Sequence, residues 1–88
     1  MELTFNQSGE TWVAKHKTGP NFNIHIEIAL DATVELFMID HGQINIGHLF
    51  KYFSDKKVID VDIMGYAHVD SIIVICSSKP FKATVESM

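Results

Sequence analysis

A regular alternation of apolar and polar residues in residues 22–31, FNIHIEIALD, decides the fold class. Every second residue is apolar: Phe22, Ile24, Ile26, Ile28 and Leu30. Because successive side chains of a strand point to opposite faces, this pattern predicts a β-strand with one face in a hydrophobic core. The opposite face carries His25 and Glu27, residue types that bind metals, transfer protons or simply lie in solvent.

A tight turn upstream of this strand predicts a hairpin near the amino terminus. Ser8-Gly9 suits a two-residue loop, which would pair Phe5 with Trp12. This register collects apolar side chains on one face, and a slip of one residue would turn them to solvent. We therefore expect Phe5 and Trp12 to pack in the core.

The second turn, residues 18–21 (TGPN), predicts that the hairpin continues into residues 22–31 as a three-stranded meander. With the favoured three-residue loop, His25 lies opposite Val13 on the outer face of the sheet. No second metal ligand faces His25 in that register, and a zinc site needs three or four ligands. We therefore predict that His25 and Glu27 face solvent or a partner and have no catalytic role.

Residues 31–42, DATVELFMIDHG, fit either a helix or a strand, and we favour the strand. In a strand, one face carries Val34, Leu36 and Met38, and the other carries Glu35, Phe37 and Ile39. Both faces are largely apolar, which predicts that both are covered. Since a short chain has little with which to cover them, we predict that Glu35, Phe37 and Ile39 contact a second copy in a homodimer.

Residues 45–55, NIGHLFKYFSD, are the part of the chain that predicts a helix. Ile46, Leu49, Phe50 and Phe53 follow the i, i+3, i+4, i+7 spacing of one helix face. Asn45 is a suitable N-cap, whereas Gly47 weakens a helix and keeps it short. We expect one short helix near residues 46–54.

The carboxyl-terminal half predicts three more strands. Residues 58–63 (VIDVDI) alternate with an acidic outer edge, and residues 81–86 (FKATVE) alternate as an edge strand. Residues 72–76 (IIVIC) are apolar on both faces, which predicts a central strand covered on its second face by the helix. The fold predicted for the single domain 1–88 is a β-rich α+β fold. It has an antiparallel sheet of about six strands, curled into a partial barrel or a sandwich.

Composition excludes several classes of function. The 88 residues carry a net charge of −4, with seven lysines and no arginine, so the chain is poorly suited to bind nucleic acid. It has no basic and apolar leader of the signal-peptide type and no apolar run long enough to span a membrane. We therefore expect a cytoplasmic protein without nucleic-acid or membrane partners.

One cluster of residue types could carry chemistry. A three-residue turn at 65–67 would place Asp62 opposite Asp70, beside His68. Like charges directly opposite each other are destabilising unless a cation lies between them. Asp62, His68 and Asp70 are therefore candidate metal ligands, although another register would separate them.

Motifs for catalysis and for cofactors are absent from the sequence. No nucleophile elbow surrounds a serine, and the chain has no Walker loop, dinucleotide-binding glycine motif or Cys-x-x-Cys. We predict no cofactor and a small acidic non-enzymatic domain for protein–protein interaction or oligomerisation. The alternatives are a binder of a small apolar ligand in a curled sheet, or a small metal-dependent enzyme using Asp60, Asp62, His68 and Asp70.

Overall fold

Eight β-strands in two antiparallel sheets make up the structure, a computed structural model that describes residues 1–40, 48–65 and 69–88. The strands are β1 Asn6–Ser8, β2 Thr11–Lys17, β3 Phe22–Glu27, β4 Thr33–Asp40, β5 His48–Ser54, β6 Val58–Ile63, β7 Val69–Cys76 and β8 Lys82–Ser87. One sheet has five strands in the order β1-β2-β7-β4-β5, and the other has three in the order β6-β3-β8.

The core lies between the two sheets. Ile24 and Ile26 enter it from β3, and Leu36 and Val74 enter it from β4 and β7. Each large apolar side chain that is fully buried in this way contributes about 1.5–3 kcal/mol relative to an exposed one. The alternation is confirmed for residues 22–28, where Phe22, Ile24, Ile26 and Ile28 are buried, but not for Leu30, which lies beyond β3 and is 49% exposed.

The predicted α+β class is wrong, because the described residues form an all-β fold with eight strands and no helix. Residues 48–54 of the predicted helix form strand β5, which pairs with β4 along the edge of the five-stranded sheet. Residues 46 and 47 lie outside the described part of the chain. No helix in the described ranges is long and apolar enough to cross a membrane.

The pairing of β5 with β4 contains a β-bulge, and the apolar residues of β5 do not share one face. Leu36 pairs with Lys51 while Phe37 pairs with Leu49, so Phe50 is an extra residue in β5. A bulge interrupts the period-two alternation of a strand, and here Leu49 pairs with Phe37 while Phe53 pairs with Val34, which lie on opposite faces of β4. A nine-residue helix also has little stability of its own, because the first turn is costly to nucleate.

The amino-terminal hairpin forms in a register different from the predicted one. Ser8 pairs with Thr11 and Gln7 pairs with Trp12, so the loop is Gly9-Glu10. Gly9 has a φ of 62°, which suits the first central position of a type II′ turn. The shift is by two residues and preserves the face, so Phe5 and Trp12 still pack against the core, although both are half-buried.

The predicted three-stranded meander is wrong, because residues 18–21 connect two sheets and do not close a hairpin. β2 pairs with β7, whereas β3 pairs with β6 on one side and β8 on the other. The apolar row of β3 fits any neighbour that also buries one face. His25 therefore lies opposite Asp60 and Thr84, and not opposite Val13.

The predictions for the strands around β7 are confirmed. β4 is a strand with Val34, Leu36 and Met38 buried, and β7 is central, between β2 and β4. The helix expected to cover the second face of β7 is absent from the described residues. Ile73 and Ile75 on that face are consequently half-exposed.

Candidate functional site

The outer face of the three-stranded sheet is almost entirely polar. Nine outward positions form three rows across β6, β3 and β8: Val58–Glu27–Lys82, Asp60–His25–Thr84 and Asp62–Asn23–Glu86. We call these nine residues the polar face. With four carboxylates and one lysine, it is acidic.

His25 lies at the centre of the polar face between two carboxylates. Its Nδ1 is 2.9 Å from Asp60 Oδ2, and its Nε2 is 2.9 Å from Glu27 Oε2. A protonated imidazole can donate from both nitrogens, whereas the neutral ring can donate from only one. The hydrogen bonds to Asp60 first, and then to Glu27, therefore raise the pKa of His25 above its ordinary value.

Asn23 joins the two aspartates of β6. Its Nδ2 donates to Asp60 Oδ1 at 2.7 Å and to Asp62 Oδ1 at 2.8 Å. The hydrogen bonds from His25 and then from Asn23 lower the pKa of Asp60. Strands β3 and β6 are thus linked by a chain of hydrogen bonds from Glu27 to Asp62.

These contacts overturn the expectation that His25 has no polar neighbour to orient it. The two carboxylates nevertheless bond to opposite edges of the ring, so both nitrogens are occupied. A general base needs a nitrogen directed at its substrate, and a metal needs ligands that converge on one point. Within the described ranges, no three residues of the metal-binding types are grouped to hold an ion. Both ring nitrogens of His25 therefore contact carboxylates of the polar face, and the absence of a catalytic role for His25 stays a prediction.

The predicted cation cluster is not assembled in the expected register. Asp62 lies on β6 opposite Asn23, whereas Asp70 lies on β7 in the other sheet. The register that placed Asp62 opposite Asp70 is therefore wrong, because the chain between β6 and β7 crosses from one sheet to the other. His68 lies outside the described residues, so a metal site that includes it stays a prediction.

The outer face of the five-stranded sheet has the opposite character. Two adjacent rows cross β2, β7 and β4: Val13–Ile75–Glu35, which continues to Tyr52 on β5, and Lys15–Ile73–Phe37. We call Val13, Phe37, Ile73 and Ile75 the apolar block. All four are half-buried, and Tyr52 beside them is 56% exposed.

The predicted partner-binding residues divide between the two outer faces. His25 and Glu27 belong to the polar face, whereas Glu35 and Phe37 lie on the outer face of the five-stranded sheet. Ile39 follows in the next row of that sheet but is only 3% exposed. One flat contact therefore cannot include all five.

Sequence reasoning missed three members of the apolar block: Val13, Ile73 and Ile75. The signal for the last two was present in residues 72–76 (IIVIC), which are apolar on both faces. The predicted helix was assigned to cover them, so they were not considered as a contact surface. Val13 gave no signal of its own, because its place in the block depends on pairing with Ile75.

Among the described residues, two of the clefts have defined linings. One of about 210 Å³ is lined by Leu3, Phe5, Pro80 and Phe81 among others. The other, of about 240 Å³, includes His16, Thr18, Phe22 and Val85. Pockets for drug-sized ligands span about 300–1,000 Å³, so both clefts are small for an apolar ligand.

The single cysteine is a core residue. Cys76 is buried, and its burial raises the pKa of the thiol to about 12. Since the thiolate is the nucleophilic form, this side chain is inert at neutral pH.

Likeness to known proteins gives no further guidance. No protein-family model, curated protein or solved structure matches this chain.

Proposed function

We propose that this chain is a small acidic, non-enzymatic interaction domain that forms a homodimer through the apolar block. The observation that carries the proposal is the half-exposed second face of β7. Ile73 and Ile75 lie there in the centre of the sheet, beside Phe37 and Val13. A central strand that is apolar on both faces requires cover on both, and at Ile73 and Ile75 the outer face is only half-buried.

The face of the sheet, and not its edge, is the favoured contact. β7 is paired on both sides by β2 and β4, so it has no free hydrogen-bonding edge to offer. Burial of the apolar block, with Tyr52 alongside, removes apolar area from water and supplies the driving force for association. Aromatic residues such as Phe37 and Tyr52 are enriched at interfaces for this reason.

A second copy is the simplest partner, because it presents the same surface. Twofold pairing of one patch with itself is the commonest form of oligomer. The molecule measures 33 × 26 × 20 Å, and a standard interface buries roughly 800 Å² per partner. A contact of that size would occupy most of one broad side of the molecule.

Light scattering over a range of protein concentrations tests the proposal. We expect a dimer that dissociates on dilution, and we expect Phe37→Lys and Ile73→Lys to be monomeric at concentrations where the parent is dimeric. Thr84→Lys adds the same charge to the polar face and should leave the dimer intact. Circular dichroism confirms that each variant is folded. A parent that is monomeric up to several hundred micromolar would contradict the proposal.

A cytoplasmic location belongs to the same proposal. The one cysteine is buried and unpaired, which fits a reducing compartment, where disulfides are rare. The two alternative functions, a binder of a small apolar ligand and a metal-dependent enzyme, gain no specific support from the described residues.

A further inference from the structure

Two opposite charges flank the apolar block at diagonally opposed corners. Lys15 precedes Ile73 and Phe37 in one row, and Glu35 follows Val13 and Ile75 in the other. Lys15 is therefore on the β2 side at one end of the block, and Glu35 is on the β4 side at the other end.

Neither charge has a partner of opposite sign in the part of the chain that the structure describes. The ion pairs there involve the amino terminus, His25 and their carboxylate partners. Lys15 is exposed, and Glu35 is half-buried. Burial of an unpaired charge is costly, so contact with another apolar surface requires each of these groups to meet an opposite charge.

A twofold axis in the plane of a face-to-face dimer can take four simple directions: along β7, across the strands, or along either diagonal of the block. An axis along β7 places Lys15 over Phe37 of the second copy, and an axis across the strands places Lys15 over Val13. Both directions place a charge against an apolar side chain, and an axis along the diagonal from Lys15 to Glu35 places like charges over each other. An axis along the diagonal from Val13 to Phe37 places Lys15 of each copy over Glu35 of the other, with Ile73 and Ile75 at the centre.

We infer that the homodimer is built on this diagonal axis, with two symmetric Lys15–Glu35 pairs between the copies. The inference rests on the proposed function, and it adds the relative orientation of the two copies and the charge pairs that favour this orientation. The apolar block supplies affinity. The two pairs set the orientation, because each of the other directions leaves both copies of Lys15 and of Glu35 without a partner of opposite charge.

Charge exchange at the two corners tests the arrangement. Lys15→Glu places a second carboxylate against Glu35, and Glu35→Lys places a second ammonium group against Lys15, so each variant alone should dimerise at least tenfold more weakly than the parent. In an equimolar mixture of the two variants, a heterodimer has attractive charges at both corners. At one corner Lys15 meets Glu35 as in the parent. At the other, the glutamate introduced at position 15 meets the lysine introduced at position 35. We expect native mass spectrometry to show the heterodimer as the main dimer in that mixture. The double variant Lys15→Glu/Glu35→Lys should dimerise like the parent.

Matched controls distinguish the Lys15–Glu35 pairing from a general effect of charge on dimerisation. Lys57→Glu and Glu10→Lys make the same changes at exposed positions outside the apolar block, and they should leave the dissociation constant within about twofold. Single variants that dimerise like the parent, or a mixture without heterodimer, overturn the diagonal arrangement. If Ile73→Lys still abolishes the dimer in that case, only the arrangement fails. A monomeric parent overturns the proposed function as well.

Discussion

The outer faces of the two sheets differ in how their side chains interact with one another. Both lie on the solvent side of a sheet whose other side forms the core. On the polar face, Asn23, His25, Glu27, Asp60 and Asp62 bond to one another. On the other face, the apolar block is bordered by Lys15, Glu35 and Tyr52 and is only half-buried. The comparison teaches that exposure alone does not mark a contact surface. Polar side chains of the polar face are hydrogen-bonded to one another, whereas apolar side chains of the apolar block would be stabilised by removal from water.

The largest expected effect comes from two adjacent residues of β4. Leu36 is 1% exposed in the core, whereas Phe37 is half-buried in the apolar block. We expect Leu36→Ala to lower the free energy of unfolding by about 2–5 kcal/mol, since it leaves a cavity. Phe37→Ala should cost much less in the dilute monomer and act mainly on dimerisation. Urea titration below the dissociation constant measures both, and equal losses would show that the outer face is core.

A smaller effect is expected from pH at the polar face. Because the folded pKa of His25 is raised above 6.5 by Asp60 and Glu27, its contribution to stability is fully present below pH 6.5. That contribution is lost as the pH rises through the folded pKa. His25→Gln should flatten this part of the stability–pH curve, measured by urea titration between pH 5 and 9.

Nuclear magnetic resonance provides the direct measurement of His25. Its imidazole should titrate above the ordinary value in the parent and closer to it in Asp60→Asn, because the hydrogen bond that raises the pKa most is then weakened. A titration of His25 at or below 6.5 in the parent would contradict the bridging geometry. The monomeric Ile73→Lys variant should show the same His25 pKa as the parent, since the two faces are independent.

The smallest effect is expected at Asn23. Asn23→Ala removes the two amide hydrogen bonds to Asp60 and Asp62, so the pKa of Asp60 should move up toward its ordinary value while the His25 contact persists. Carbon-13 titration of the aspartate carboxyl groups measures this shift. An unchanged Asp60 pKa would mean that His25 alone sets it.

The sequence predicted the faces of strands better than their neighbours. The buried faces of β3, β4 and β6 follow directly from alternation, and the central place of β7 follows from its two apolar faces. The candidate site was only partly predictable. His25 and Phe37 were identified as outward residues, but Asp60, which orients His25, is 35 residues away along the chain. Ile73 and Ile75 were assigned to a helix contact that does not form.

The sequence by itself determined which side chains share a face, because that depends only on the local period of two residues per strand. Only the tertiary structure decided that β2 and β3 belong to different sheets and that residues 48–54 pair with β4 as strand β5. Many pairings bury the same apolar rows. The choice among these pairings depends on long-range contacts and on how the two sheets pack. Local periodicity predicts neither of these.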